Sequence, residues 1–450
     1  VSNLDRVFAH RSIGFLLFAA FIVVWALLTK VHTHSWQEES RMATVQTIVE
    51  QGTFIIDHTE FNRTGDKVFV NGHFYSDKTP ILSVAAAGVY SILHNVFDLT
   101  LDPTICVPDE DIAACRAFTP TGTRFTAFYW LTLIFIGGSS ALLIALFWKA
   151  LIALGVGGTL AMALAIALGL ASPIAPYSIV FAGHVPAAVC LFAGFWLLTQ
   201  CHSERRAESR RGADRNDTNR RLFWAGLLIS LSANIDLTLA IFVITFGSWV
   251  LMVHRRKIVP YVLGAIVPVA ISAIINMIGA GTIVPLYFDP KAYDFVGTVL
   301  NPTVGGTNGF YSLEFGVNYT YNILIGRRGF FAFTPMLIYA VAGLVLVVRD
   351  RSNRLRGLSF GVAIGCLLFA AYLILRTDNY GGEAWGTRWF VPLVPLLWLY
   401  APIAYRVWPI ANRASVAWRV IFWGAVVLSF ATARLGIHDA WRDVPPIVRL

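Results

Sequence analysis

The chain has 450 residues, of which 56% are hydrophobic and 14% charged, and a formal net charge of +9. A mean hydropathy of +0.64 excludes a soluble globular domain and predicts an all-α polytopic membrane protein. The basic excess would suit nucleic acid in a soluble protein. Here the bases crowd short loops between apolar runs without aromatic interleaving, so no nucleic-acid partner is expected.

The first apolar run, Ser12 to Thr29, approaches the roughly 18 to 20 residues that cross a ~30 Å hydrocarbon layer. No small-residue cleavage site follows, so it reads as a retained helix. Arg6 and Arg11 hold its start in the cytoplasm, which makes 30–124 the first external loop. Glu38-Glu39 open this loop, with Arg41 close behind. A carboxylate pair beside a membrane helix serves as a general base or cation ligand, or merely places acid at a helix N-terminus. Asp77-Lys78 follow, just before Pro80. Lysine is a point charge suited to phosphate, or an ordinary interfacial lysine.

Pro80 to Phe97 is apolar, yet a crossing there would put the arginine-rich 201–221 segment outside. It is therefore predicted to lie along the interface. Cys106 and Cys115 then fall outside, where a disulfide is permitted. The runs Phe125–Phe147, Gly155–Pro176 and Val185–Gln200 follow as spans, with His184 at the outer end of the third. A histidine there is a base, a ligand or a phosphate partner, or a structural helix-end residue. The 201–221 loop, with Arg205, Arg206, Arg210, Arg211, Arg215, Arg220 and Arg221, is cytoplasmic and disordered by composition. Leu222 to Val253 forms a hairpin whose tip carries Asp236, a charge that should face a wet cavity.

Val259–Ile278, Phe330–Val348, Gly357–Leu375, Trp389–Tyr405 and Trp418–Ala433 complete about eleven spans, leaving the C-terminus outside. The 279–329 segment is a further external loop. It ends on Arg327-Arg328, adjacent bases placed against the charge rule, which suits phosphate or a lipid headgroup. In the TDNYGGEAWGTRW stretch, Tyr380 and Trp385 offer sugar-stacking faces, and Glu383 and Arg388 offer hydroxyl or phosphate contacts. An interfacial aromatic belt explains its tryptophans but not Gly-Gly-Glu and Arg.

These motifs together resemble the polytopic GT-C glycosyltransferases of the protein O-mannosyltransferase and lipid A aminoarabinose transferase type. Those proteins carry an outer D-E-x-R-Y-A segment, then an acidic residue followed by K-P-P opening a juxtamembrane helix. Here Glu38-Glu39-Ser40-Arg41-Met42-Ala43 and Asp77-Lys78-Thr79-Pro80 stand in the two places. The likeness is best over residues 12 to about 200. It implies a single GT-C-like domain over 1–450, with juxtamembrane helices in the first external loop. By it, Glu38 takes the catalytic position, with Glu39 as the alternative because glutamate replaces aspartate. Asp77 takes that of a metal-contacting acid, Lys78 that of the lipid-phosphate partner, and His184 that of a further acid. The resemblance allows a divalent metal at Asp77 without requiring one.

The implied function is transfer of a sugar from a polyprenyl-phosphate carrier, with inversion, to a hydroxyl on a protein, lipid or glycan. The reaction would sit at the outer face of the cytoplasmic membrane, among membrane lipids. Glu38, Glu39 and His184 are the candidate catalytic residues. Arg41, Asp77, Lys78, Asp236, Arg327, Arg328, Tyr380, Glu383, Trp385 and Arg388 are the candidate substrate contacts. A transporter or flippase of a lipid-linked or small solute is the alternative from another class.

Overall fold

The computed structural model describes residues 12–101, 126–211, 215–298, 312–377, 380–406 and 413–441, excepting the side chains of 202–216 and 413–415. The proposed Cys106–Cys115 pair lies outside them. The described chain is helical apart from one hairpin, and it begins with α1, Ile13–Leu28. Helix α2, Trp36–Glu50, starts at Ser35, whose hydroxyl accepts from the Glu38 amide. Ser35-Trp36-Gln37-Glu38 is a capping-box sequence, which fixes where the helix begins.

Strands β1, Lys67–Val70, and β2, His73–Ser76, pair antiparallel around Asn71-Gly72. Both turn residues have positive φ, 53° and 87°, as a two-residue hairpin turn requires. Helix α3, Pro80–Phe97, has its proline in the first turn, where no amide donor is needed. It is long and apolar enough to cross a membrane, but its connections say otherwise. Thr100 O accepts from the Ala127 amide, and Thr126 Oγ1 donates to Val31 O, just past α1. The chain thus returns to the end of the bundle that it left after α1.

The bundle continues through α4, Ala127–Ala153, with a π-helical turn at Leu133–Gly137, and α5, Gly158–Leu170. After the short α6, Ile174–Tyr177, come α7, His184–Arg211, and α8, Arg215–Ile235. The 201–221 segment is helical where described. Arginine, glutamate and alanine are good helix formers, and the apolar turns on either side extend into them.

Helix α9 is Ala240–Val253 and α10 is Ile258–Ala280. Helices α8 and α10 touch backbone to backbone: a Cβ on Gly226 or Gly264 would lie 2.0 Å from the opposing carbonyl of Tyr261 or Phe223. Small residues are what permit such approach between membrane helices. Then follow α11, Leu313–Leu324, α12, Phe330–Phe333, α13, Met336–Arg349, and α14, Arg356–Arg376. A 3₁₀ segment, Arg388–Leu393, leads to α15, Val394–Trp398, and α16, Ala401–Tyr405. Helix α17, Arg413–His438, closes the described chain.

Six of these helices are long and apolar enough to span a membrane, and four shorter ones are apolar. The helix ends sort by charge. His184, Asp236, Ala280 and Tyr372 gather at one end, while the loops with His254–Lys257 and Arg349–Arg356 lie a helix length away. At 1.5 Å per residue, that is roughly 20–35 Å.

Candidate functional site

At the acid-bearing end, α2, β2, the 77–79 turn and the ends of α7, α8, α10 and α14 enclose a cavity of about 400 Å³. Its size falls within the ~300–1,000 Å³ of ordinary ligand pockets. Its charged lining is Arg41, Asp77, Lys78, His184, Asp236 and Arg388. The α2 periodicity explains one wall, because Gln37, Arg41 and Thr44 recur at helical spacing and all face inward.

The hairpin delivers the opposite wall. Ser40 Oγ donates to Asp66 O and lies 2.6 Å from Ser76 Oγ, which ties β2 to α2 just before Asp77. Lys78 Nζ is held between two carboxylates, 2.7 Å from Asp66 Oδ2 and 3.0 Å from Asp77 Oδ1. Burial would lower the lysine pKa, but Asp66 and Asp77 outweigh it and raise it. Asp77 is pushed up to about 6, chiefly by burial, with Lys78 pulling against it. Thr79 Oγ1 donates to Ile235 O, which binds this turn to the end of α8.

His184 is the first residue of α7, and Asp236 stands just past the end of α8. Sequence reading listed them as separate candidates; the bundle makes them a pair. His184 Nδ1 and Asp236 Oδ2 are 2.9 Å apart, and Thr238 Oγ1 donates to Asp236 Oδ1 at 2.7 Å. The other ring nitrogen, Nε2, is buried without a protein partner, as is Arg41 Nε. Arg388 enters from the 3₁₀ segment, donates to Gln37 Oε1 at 2.8 Å and lies over the Trp441 ring at 5.4 Å. Gly381, with φ at 91°, lets its loop pass close: a Cβ there would sit 3.2 Å from Arg388 Nε.

Several expected site residues lie elsewhere. Glu38 does not line the cavity and is 0% exposed. Its Oε1 accepts from the Phe181 amide at 2.8 Å, and its Oε2 from the His34 amide at 2.8 Å and from Ser35 Oγ. These bonds cap α2 and tie it to the turn before α7. Glu39 is buried too and lines no part of the cavity; burial, then Glu38 and Asp66, push its carboxyl up to about 7.

Arg327 and Arg328 are also outside the lining. Arg327 is exposed, while Arg328 donates to Gly382 O at 3.0 Å and pins the glycine loop. Trp385 is not a sugar platform: it packs edge-on against Phe333 and donates its amide to Ala440 O. Tyr380 stacks on Tyr319 at 5.0 Å, and Glu383 is exposed. The tryptophan in the lining is Trp389, beside Arg388; Gln37, Tyr75, Tyr287 and Tyr372 join it unanticipated. The Asn-Gly pair at 71–72 was the sequence signal for the hairpin that carries Tyr75.

A metal at Asp77 does not fit the donor set. Among the described residues no group of three or more His, Cys, Asp or Glu side chains is placed to hold an ion, and Lys78 already occupies Asp77.

A second chamber of about 710 Å³ lies between α8, α9 and α10, lined mainly by apolar residues with Ser230, Asn234, Ser248, Ser272 and Asn276 among them. It shares Leu237, Ala240, Asn276 and Pro285 with the polar cavity.

No family model matches the sequence, and no curated protein does. Solved structures are similar in fold. The oligosaccharyltransferase of Archaeoglobus fulgidus matches 96% of this chain at 11% identity and a TM-score of 0.53. The match takes in 57% of the archaeal protein, so this chain spans little more than half its length. ArnT from Cupriavidus metallidurans, solved with undecaprenyl phosphate, matches 95% of this chain and 76% of its own, at 13% identity and a TM-score of 0.50. The chain therefore shares its fold with these two proteins, as the resemblance of its motifs led one to expect.

Proposed function

We propose that this protein is a membrane glycosyltransferase that takes a sugar from a polyprenyl-phosphate carrier and passes it, with inversion, to a hydroxyl acceptor. The observation that carries the reading is the junction of two chambers. A cavity with Arg41, Lys78 and Arg388 shares Leu237, Ala240, Asn276 and Pro285 with a more apolar one between α8, α9 and α10. A lipid phosphate needs both: cations for the phosphate and a dry surface for the isoprenoid chain. The fold shared with ArnT, whose solved structure holds undecaprenyl phosphate, supports the same ligand class.

In the reaction, the acceptor oxygen attacks the anomeric carbon as the bond to the phosphate oxygen breaks. One displacement inverts that carbon. Negative charge grows on the departing phosphate, and Arg41, Lys78 and Arg388 stabilise it. The outer face of the cytoplasmic membrane is the assigned side, because the basic loops cluster at the opposite end of the bundle.

The test uses the full chain in proteoliposomes with undecaprenyl-phosphate-linked hexoses and pentoses labelled in the sugar. Release of undecaprenyl phosphate with transfer of label supports the reading, and loss of both in Lys78→Ala and Arg388→Ala places the site. A flippase would move the intact conjugate and leave the sugar–phosphate bond whole. Failure to bind any undecaprenyl phosphate ligand would remove the proposal.

A further inference from the structure

We infer that His184, oriented by Asp236, is the group that removes the acceptor's proton. The inference rests on the glycosyltransferase reading above and deepens it. Three observations carry it. The ring is anchored: Nδ1 lies 2.9 Å from Asp236 Oδ2, and that carboxylate is itself held by Thr238. The free nitrogen Nε2 is buried with no protein partner, while the residue lines the cavity shared with Arg41, Lys78 and Arg388. Of the neighbouring carboxylates, Glu38 accepts three hydrogen bonds and lies outside the lining, as does Glu39, and Asp77 is paired with Lys78.

An imidazole with one nitrogen on a carboxylate keeps its proton there and offers the other lone pair outward. A buried Nε2 with no donor or acceptor opposite it is costly unless a ligand supplies one. An acceptor hydroxyl does so.

The step balances without a co-reactant. The acceptor O–H proton moves to Nε2, and the oxygen's electron pair forms the new bond to the anomeric carbon. The sugar–phosphate bond breaks with its electrons going to the phosphate oxygen. The imidazolium, paired with Asp236, then gives its proton to water.

The charged and titratable groups around the ring come from every neighbouring element. Asp236 lies at the α8–α9 corner, Arg41 on α2, Arg388 at the 3₁₀ segment, and Tyr177 meets the ring edge-on at 5.9 Å. Two of these groups are cationic and Asp236 is anionic, so the His184–Asp236 pair should titrate as a unit.

The experiment measures, on the full chain in nanodiscs, undecaprenyl phosphate binding, turnover of a labelled undecaprenyl-phosphate sugar against pH, and carbethoxylation of His184 by diethyl pyrocarbonate. His184→Ala and His184→Gln should keep binding within about threefold while turnover falls about 10²–10⁴-fold, the usual worth of a general base. Imidazole should restore part of the His184→Ala rate. Asp236→Asn should lower turnover by at least about tenfold and displace the acid limb of the pH profile, as a positioning residue would. His184 should react with the reagent and be shielded by undecaprenyl phosphate.

Full turnover in His184→Gln, a parallel loss of binding and turnover in both variants, or an unreactive His184 would each overturn the assignment. Wild-type protein that binds no undecaprenyl phosphate, yet has a reactive His184, would instead overturn the donor reading on which it rests.

Discussion

Replacing Glu38 separates a structural carboxylate from a catalytic one. Its oxygens accept from the His34 amide, the Phe181 amide and the Ser35 hydroxyl. Glutamine keeps one acceptor oxygen, so its NH₂ must face one of those donors. A buried donor left unpaired costs about 1–3 kcal/mol, and Glu38→Ala, which abandons both sides, should cost roughly twice that.

Burial pushes the Glu38 carboxyl from its ordinary 4.5 up to about 7, against the pull of the His34 and Phe181 amides and the Ser35 hydroxyl. The folded chain then holds this proton at pH values where the unfolded chain has lost it. Its contribution is fully present below pH 4.5 and is lost as pH rises through about 7, so stability declines with rising pH over that window. Glutamine, which does not titrate, should flatten part of the decline.

The assay is thermal unfolding in one detergent, followed by tryptophan fluorescence from pH 4.5 to 8 for wild type, Glu38→Gln and Glu38→Ala. The expected order of midpoints at pH 5 is wild type, then glutamine, then alanine. Turnover measured below the unfolding range should remain substantial in Glu38→Gln. A Glu38→Gln protein as stable as wild type but devoid of turnover would refute the capping role and restore the glutamate as a working acid.

Lys78→Ala should weaken undecaprenyl phosphate binding at least about tenfold, because it removes a cation and leaves Asp66 and Asp77 facing each other; equilibrium binding checks this. Ionised Asp77 competes with a phosphate for Lys78, and its carboxyl is pushed up to about 6 by burial. Affinity for a lipid phosphodiester, whose own charge is constant there, should therefore rise between pH 7 and pH 5 in wild type and stay flatter in Asp77→Asn. Gly264→Leu should prevent folding, since even a Cβ meets Phe223 O at 2.0 Å. Gly88→Ala, with nothing within 4 Å of the new methyl, should raise thermal stability by about 0.5–1 kcal/mol. Detergent-stable yield and unfolding midpoint decide both.

The membrane architecture was legible in the sequence because apolar runs and basic loops act locally: a segment's length and flanking charge fix whether it crosses and which end stays with the bases. The interfacial placement of Pro80–Phe97 came from the same charge parity, and the connections at Thr100 and Thr126 agree with it. Lys78, Asp77, Arg41 and Arg388 were also readable, as charges in an apolar chain with no structural need of them.

Only the tertiary structure decided what each carboxylate does. Glu38 and Asp236 look alike in sequence as isolated acids near helix ends. One is turned inward onto three hydrogen-bond donors, and the other meets a histidine 52 residues earlier in the chain. Which partners a charge finds depends on the packing of α2 against the turn before α7 and on the return of α8 to the start of α7. Those are long-range contacts that no local pattern encodes, and they are what separates a capping carboxylate from one paired with a histidine.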